Sequence, residues 1–216
     1  MTVFLSHSRK DEAFVSLVRQ ALHVLGQPFH GIIYEELPPP QRTAPHWQNI
    51  DKLIRDCQAV FLVHTSNVEA TEHTKAWVHH EDAVASSVRK PLVVFQLAGL
   101  RPTMPLTYWT DVAVVDPDHP QDLLKIQSVA KAHIGQALIP NPLGRALAGG
   151  AVGAVAGPLG ALIGSFLGLV TTPGDPFQAT AKVPCPKCAL TIRYWGAPGT
   201  TFHCPHCLTP LQGGKA

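Results

Sequence analysis

Apolar residues at Phe14, Leu17, Val18, Ala21, Leu22 and Leu25 recur every three or four positions, so SRKDEAFVSLVRQALHVLG predicts a helix with one core-facing stripe. Gly26 supplies its stop, and Ser8 with Asp11 reads as a capping box that makes Ser8 the N-cap. The short apolar run VFLS before it predicts a strand, and GIIY predicts a second one. LPPPQRTAP must then be a loop, because consecutive prolines fit neither a helix interior nor a central strand. In HWQNIDKLIRDC, Ile50, Leu53, Ile54 and Cys57 share one helical face, with Cys57 as a small core residue. AVFLV and PLVVFQL are continuous apolar runs, the pattern of strands covered on both faces. VAVVD predicts a fifth strand and residues 120–139 a closing helix.

Strands alternating with helices imply right-handed βαβ crossovers, so the expected fold is α/β, a flavodoxin-like doubly wound parallel sheet. Ligands in such sheets bind beyond the carboxyl ends of the strands. That rule gathers residues 6–8, 35–40 and 65–67 around one crevice. The helix over residues 74–88, between the two buried runs, breaks the apolar pattern. Trp77, Glu81, Val84 or Ala85, and Val88 fall on one side, so a carboxylate projects where an apolar residue would pack best. A lone buried carboxylate is costly unless it is paired or used. Either the helix rolls slightly and Glu81 reaches solvent or an arginine, or the carboxylate has a chemical task.

Composition divides the 216 residues into three parts. Residues 1–140 have ordinary globular composition. Residues 141–176 form a glycine-rich apolar segment, uncharged between Arg145 and Asp175, and residues 177–216 a compact tail rich in cysteine and proline. Net charge is only +2, which gives no general support to nucleic-acid binding. Met1 and Thr2 lead into VFLSHSRKDE without a basic region, long apolar run and cleavage site, so the first part is expected to face the cytoplasm.

The tail carries Cys185 and Cys188, then Cys204 and Cys207, as two Cys-Pro-x-Cys pairs at zinc-ribbon separation. Four thiolates can close a tetrahedral site, and a closed site makes zinc structural rather than catalytic. A redox dithiol pair is the alternative. The intervening TIRYWGAPGTTFH suits a hairpin, whose surface offers Tyr194 and Trp195 to a protein or nucleic acid unless they serve hairpin packing. His73, His79 and His80 could suggest a metal cluster, but the adjacent His79 and His80 cannot share a helix face, so a solvated face is the favoured reading. In the middle segment Gly149, Gly153 and Gly157, then Gly160, Gly164 and Gly168, repeat every fourth position. Such glycine-zipper rows let backbones approach closely, which suits homo-oligomer contacts in or on a membrane through residues 146–170. Pro158 divides the run, so it reads equally as a helical hairpin or as a single span, and a soluble linker or buried oligomer core is the plainer alternative.

Taken in order, VFLSHSRKDEAFV, the stretch from Trp47 through AVFLVHTSN, TKAWVHHE and PLVVFQL resemble the Toll/interleukin receptor (TIR) domain over about the first 135 residues. TKAWVHHE resembles the W-x-x-x-E helix of the NAD-cleaving members. The resemblance implies a catalytic Glu81 and NAD contacts from His7, Ser8 and Trp77. It also implies self-association through TIR surfaces. An NAD nucleosidase acting as an assembly-activated signalling or defence effector follows, with NAD as substrate. The family also contains adaptor domains without turnover, so a non-enzymatic adaptor tethered at a membrane is the alternative.

Overall fold

The computed structural model describes residues 3–24, 29–30, 45–134 and 181–214. The chain forms β1 (Val3–Ser6), α1 (Glu12–Val24), β2 (Phe29–His30), α2 (Pro45–Asp56), β3 (Ala59–His64), α3 (Ser66–Glu69), α4 (Glu72–Ser87), β4 (Leu92–Leu97), β5 (Asp111–Val115) and α5 (Asp122–Ile134). The tail adds β6 (Ala181–Pro184), β7 (Thr191–Trp195), β8 (Thr201–His203) and β9 (Pro210–Gln212). Residues 31–34 of the expected second strand, the loop 35–40 and the glycine rows of residues 146–170 lie outside the described residues. No helix among the described residues is long and apolar enough to cross a membrane.

One seven-stranded sheet runs in the order β2-β1-β3-β4-β5-β7-β6, parallel throughout except for the β6–β7 pair. Its first five strands follow the flavodoxin-like order, with chain direction reversing between β1 and β3. Side chains alternate across the sheet. Phe4, Val60, Leu62, Leu92, Val94, Val112 and Val114 join Ile50, Ile54, Val78 and Ala85 of α2 and α4. Leu5, Phe61, Val63, Val93, Phe95, Ala113 and Val115 join Phe14, Val18 and Leu22 of α1 and Ile126 and Val129 of α5. Both faces are therefore covered, which is why the central strands read as unbroken apolar runs.

The link from β4 to β5 contains no helix, since Pro102 and Pro105 exclude one. The tail covers the sheet there instead, with Phe202, Cys204 and Leu211 in the same core as Leu106, Val112 and Val114. This corrects the expected hairpin over TIRYWGAPGTTFH. β7 pairs with β5 and β6, whereas β8 pairs only with β9. Tyr194 and Trp195 are 0% and 4% exposed and serve as core, not as contacts for a partner. The Tyr194 ring stacks on Phe202 at 4.4 Å and leaves no room beside it, because a Cβ at Gly213 would lie 2.5 Å from the ring.

Asp111 fastens this tail strand to the rest. Its fully buried carboxylate accepts from Trp195 Nε1 at 2.9 Å and lies 3.1 Å from Arg193 Nε and 2.7 Å from His133 Nε2. Burial opposes ionisation, but His133, Trp195 and Arg193 together hold the carboxyl below its usual range. Its stabilising effect is therefore present above the ordinary carboxylate range and is lost only as pH falls through that depressed value. Asp111→Asn is expected to destabilise the fold by about 3 kcal/mol, since the amide keeps one acceptor for Trp195 but loses the buried charge beside Arg193 and replaces the oxygen facing His133 with a donor. Urea denaturation at neutral pH measures this, and an unchanged midpoint would remove Asp111 as a clasp.

Candidate active site and metal centre

A crevice with an empty volume of about 510 Å³, its open mouth included, lies at the carboxyl end of β1. Ser6, His7, Ser8 and Arg9 form one wall, Ile50 of α2 lies at its side, and His73, Thr74, Trp77, Val78 and Glu81 of α4 form the other. All four residues expected at the site, His7, Ser8, Trp77 and Glu81, thus meet in one place. It lies beside the point where strand order reverses, the position at which open α/β sheets bind ligands.

Glu81 is buried rather than turned to solvent, and the partner seen for its carboxylate among the described residues is a serine. It is 8% exposed, and Ser6 Oγ, at the end of β1, donates a hydrogen bond to its Oε2. Burial pushes the Glu81 carboxyl up to about 7, and the Ser6 bond offsets this only in part. Near neutral pH the crevice therefore holds a carboxyl poised between its two protonation states, a property concentrated at catalytic sites. One turn earlier, the half-buried Trp77 donates from Nε1 to His73 Nε2 at 3.0 Å, with His80 edge-on to its ring. His80 in turn lies 2.7 Å from Asp51 of α2. These histidines hold the indole in place, and His79 is exposed.

Two sequence expectations need correction. Ser8 is not the helix cap: α1 begins at Glu12, and the Asp11 carbonyl accepts the first helical bond, from Val15 N at 2.9 Å. Ser8 instead lies in the preceding turn, where its hydroxyl accepts from Lys10 N at 3.4 Å. Thr65 and Asn67 do not line the crevice. Both donate to the Asp11 carboxylate at 2.7 Å, tying the turn after β1 to the one after β3. Sequence reasoning also missed the Ser6–Glu81 contact, although Ser6 stands at the expected strand end.

Two other acids near the site, Glu69 and Asp82, are anchors. Glu69 lies 2.8 Å from His64 Nε2 and accepts from Thr103 N, Thr103 Oγ1 and Met104 N. Burial works against its ionisation, yet these bonds bring its carboxyl down to about 2. Asp82, buried beside Glu81, accepts from Thr107 N at 2.8 Å, Thr107 Oγ1 at 2.7 Å and Tyr108 N at 3.0 Å.

In the tail the sulfurs of Cys185, Cys188, Cys204 and Cys207 all lie within 4.8 Å of one another, and this is the one such metal-competent group among the described residues. Cys185 Sγ is 3.4 Å from Cys207 Sγ, and Cys188 Sγ is 3.7 Å from Cys204 Sγ. Four thiolates about 2.3 Å from a central zinc would be separated by about 3.8 Å, so the cluster matches a tetrahedral ion in size. The two turns repeat one another. Cys185 N donates to Leu190 O and Ala189 N to Cys185 O; Cys204 N donates to Thr209 O and Leu208 N to Cys204 O, all at 2.9 Å. In both, the residue after the second cysteine has positive φ, 59° at Ala189 and 61° at Leu208. Residues with a Cβ adopt this conformation at a cost of about 1 kcal/mol, so the repeated strain fits sites fixed by a shared ligand.

Comparison with known proteins gave no matching family model and no significantly similar curated protein. The functional reading accordingly rests on the crevice and the cysteine cluster.

Proposed function

We propose that the chain is a TIR-type NAD nucleosidase with a structural zinc in its tail. The observation that carries this reading is the buried Glu81, bonded from Ser6 and set one turn from Trp77 in a crevice at the strand-order reversal. Breaking the nicotinamide–ribose bond sends its electron pair to the pyridinium nitrogen, releasing neutral nicotinamide and leaving positive charge on the ribose. An ionised Glu81 stabilises that charge or captures it covalently before water completes the hydrolysis. Ser6 orients the carboxylate, and Trp77 offers an aromatic wall to the ribose or nicotinamide. His7 and Ser8 contact the remainder of the dinucleotide, and Arg9, which the resemblance did not supply, adds a cationic group to the same wall.

Cys185, Cys188, Cys204 and Cys207 would hold zinc, which supplies a rigid tetrahedral cross-link and no chemistry to the reaction. Self-association through TIR surfaces and the two glycine rows raises local concentration and turns weak contacts into assembly. Release of nicotinamide from NAD by the purified full-length protein, dispersed and artificially clustered, tests the reading. Cleavage that rises on clustering is the expected result. No release in either state would overturn the enzymatic reading in favour of the membrane-tethered adaptor.

A further inference from the structure

We propose that the turn carrying Cys204 and Cys207 positions Glu81 through Asp82, so that metal on the four cysteines keeps the crevice assembled. The activity part of this proposal rests on the NAD-cleaving reading, while the coupling itself does not.

Residues 103–109 belong to no helix or strand, so their course is set by anchors. Glu69 holds Thr103 and Met104, and Asp82 holds Thr107 and Tyr108. Between those two anchors, Leu106 N donates to Pro205 O at 2.8 Å. Trp109 completes the contact, its ring centroid 6.0 Å from that of His206. Pro205 and His206 are the two residues between Cys204 and Cys207, so their backbone path depends on where those two sulfurs are drawn. A metal that fixes the sulfurs fixes the acceptor that pins Leu106.

The other end of this path is next to Glu81. Successive helix residues are rigidly related, so α4 cannot roll to turn Glu81 out of the crevice without pulling Asp82 away from Thr107 and Tyr108. Asp82 is 1% exposed, and a buried carboxylate stripped of its donors is strongly disfavoured. The pinned loop is thus a stop against helix rotation. Asp82 is a positioning residue: it touches the loop, and Glu81 faces the crevice.

Hydrogen exchange on the full chain, zinc-loaded, stripped with chelator and refilled with zinc, tests the coupling. Stripping is expected to speed exchange at least about tenfold more over residues 104–109 and the Asp82 half of α4 than over α1, with restoration by zinc. Asp82→Asn should keep one zinc per chain yet show fast α4 exchange in both metal states. Its kcat for NAD should fall at least about tenfold and by more than KM rises, because the β1 wall with His7 and Ser8 stays in place while α4 carries Glu81 and Trp77 out of position. Thr107→Val, which removes one bond from outside the helix, should show the same pattern more weakly. Equal α4 protection with and without zinc, or a zinc-loaded Asp82→Asn with wild-type kcat, overturns the proposal. Zinc-dependent α4 protection in a chain that never cleaves NAD upholds the coupling and refutes the NAD reading alone.

Discussion

Glu81→Gln is expected to lower nicotinamide release by about a hundred- to thousand-fold and, at pH 8, to make the fold more stable than wild type. The first effect follows because the amide keeps the shape and still accepts from Ser6 but carries no charge to oppose the developing cation. The second follows from burial. A carboxyl raised from 4.5 to about 7 in the fold binds more protons folded than unfolded between those values. Its stability contribution is complete below about 4.5 and lost as pH rises through about 7. Ionised at pH 8, Glu81 opposes folding by a figure on the order of 3 kcal/mol, and the uncharged amide relieves this. Melting curves at pH 5 and pH 8 should show the variant gaining roughly 5 °C or more at pH 8 and little at pH 5. For the wild type, kcat/KM should rise with pH through about 7, and the corresponding limb in kcat should lie lower, since the cationic nicotinamide ring favours the carboxylate. Near wild-type turnover in Glu81→Gln would eliminate the catalytic role, and a pH-independent change in melting would eliminate the poised carboxyl.

Cys204→Ser is expected to reduce bound zinc from one ion per chain to none and to destabilise the whole described body by about 3–5 kcal/mol. A free-standing ribbon would unfold alone and leave the larger part unaffected. Here Cys185 and Cys204 are buried in one core with Val112, Val114 and Leu106, and β7 is bonded along β5. Loss of the ion therefore loosens the sheet as well as the tail. Urea denaturation followed by near-ultraviolet circular dichroism should give one transition shifted to lower urea, with elemental analysis confirming zinc loss. Two transitions, the upper at the wild-type midpoint, would show an independent tail.

The parts legible in the sequence are those written in local periodicity. The stripe from Phe14 to Leu22, the runs AVFLV and PLVVFQL, and the face formed by Ile50, Leu53 and Ile54 each depend on neighbours within two helical turns or one strand. Glu81 was legible for the opposite reason, as the one charged residue on an apolar stripe. What was not legible joins distant positions. Nothing local links Ser6 to a carboxylate 75 residues away. Asp82 looks like any acid on a solvated helix face until the loop that it anchors is in place. TIRYW alternates as a strand should, but its pairing with β5 is decided by Asp111 and by apolar surface left uncovered where the prolines exclude a helix.

That pairing also bears on how the chain avoids sticking to itself. Without β7, the last parallel strand would be DVAVV, apolar on both faces, with a row of backbone donors and acceptors open to any extended chain. The tail occupies that row and moves the rim of the sheet outward to β6, where Lys182 and Pro184 are exposed. A lysine charge disfavours a docking strand, and proline withholds a donor from it. A chain cut at residue 140, where composition changes, would therefore carry the crevice but bare a template for aggregation.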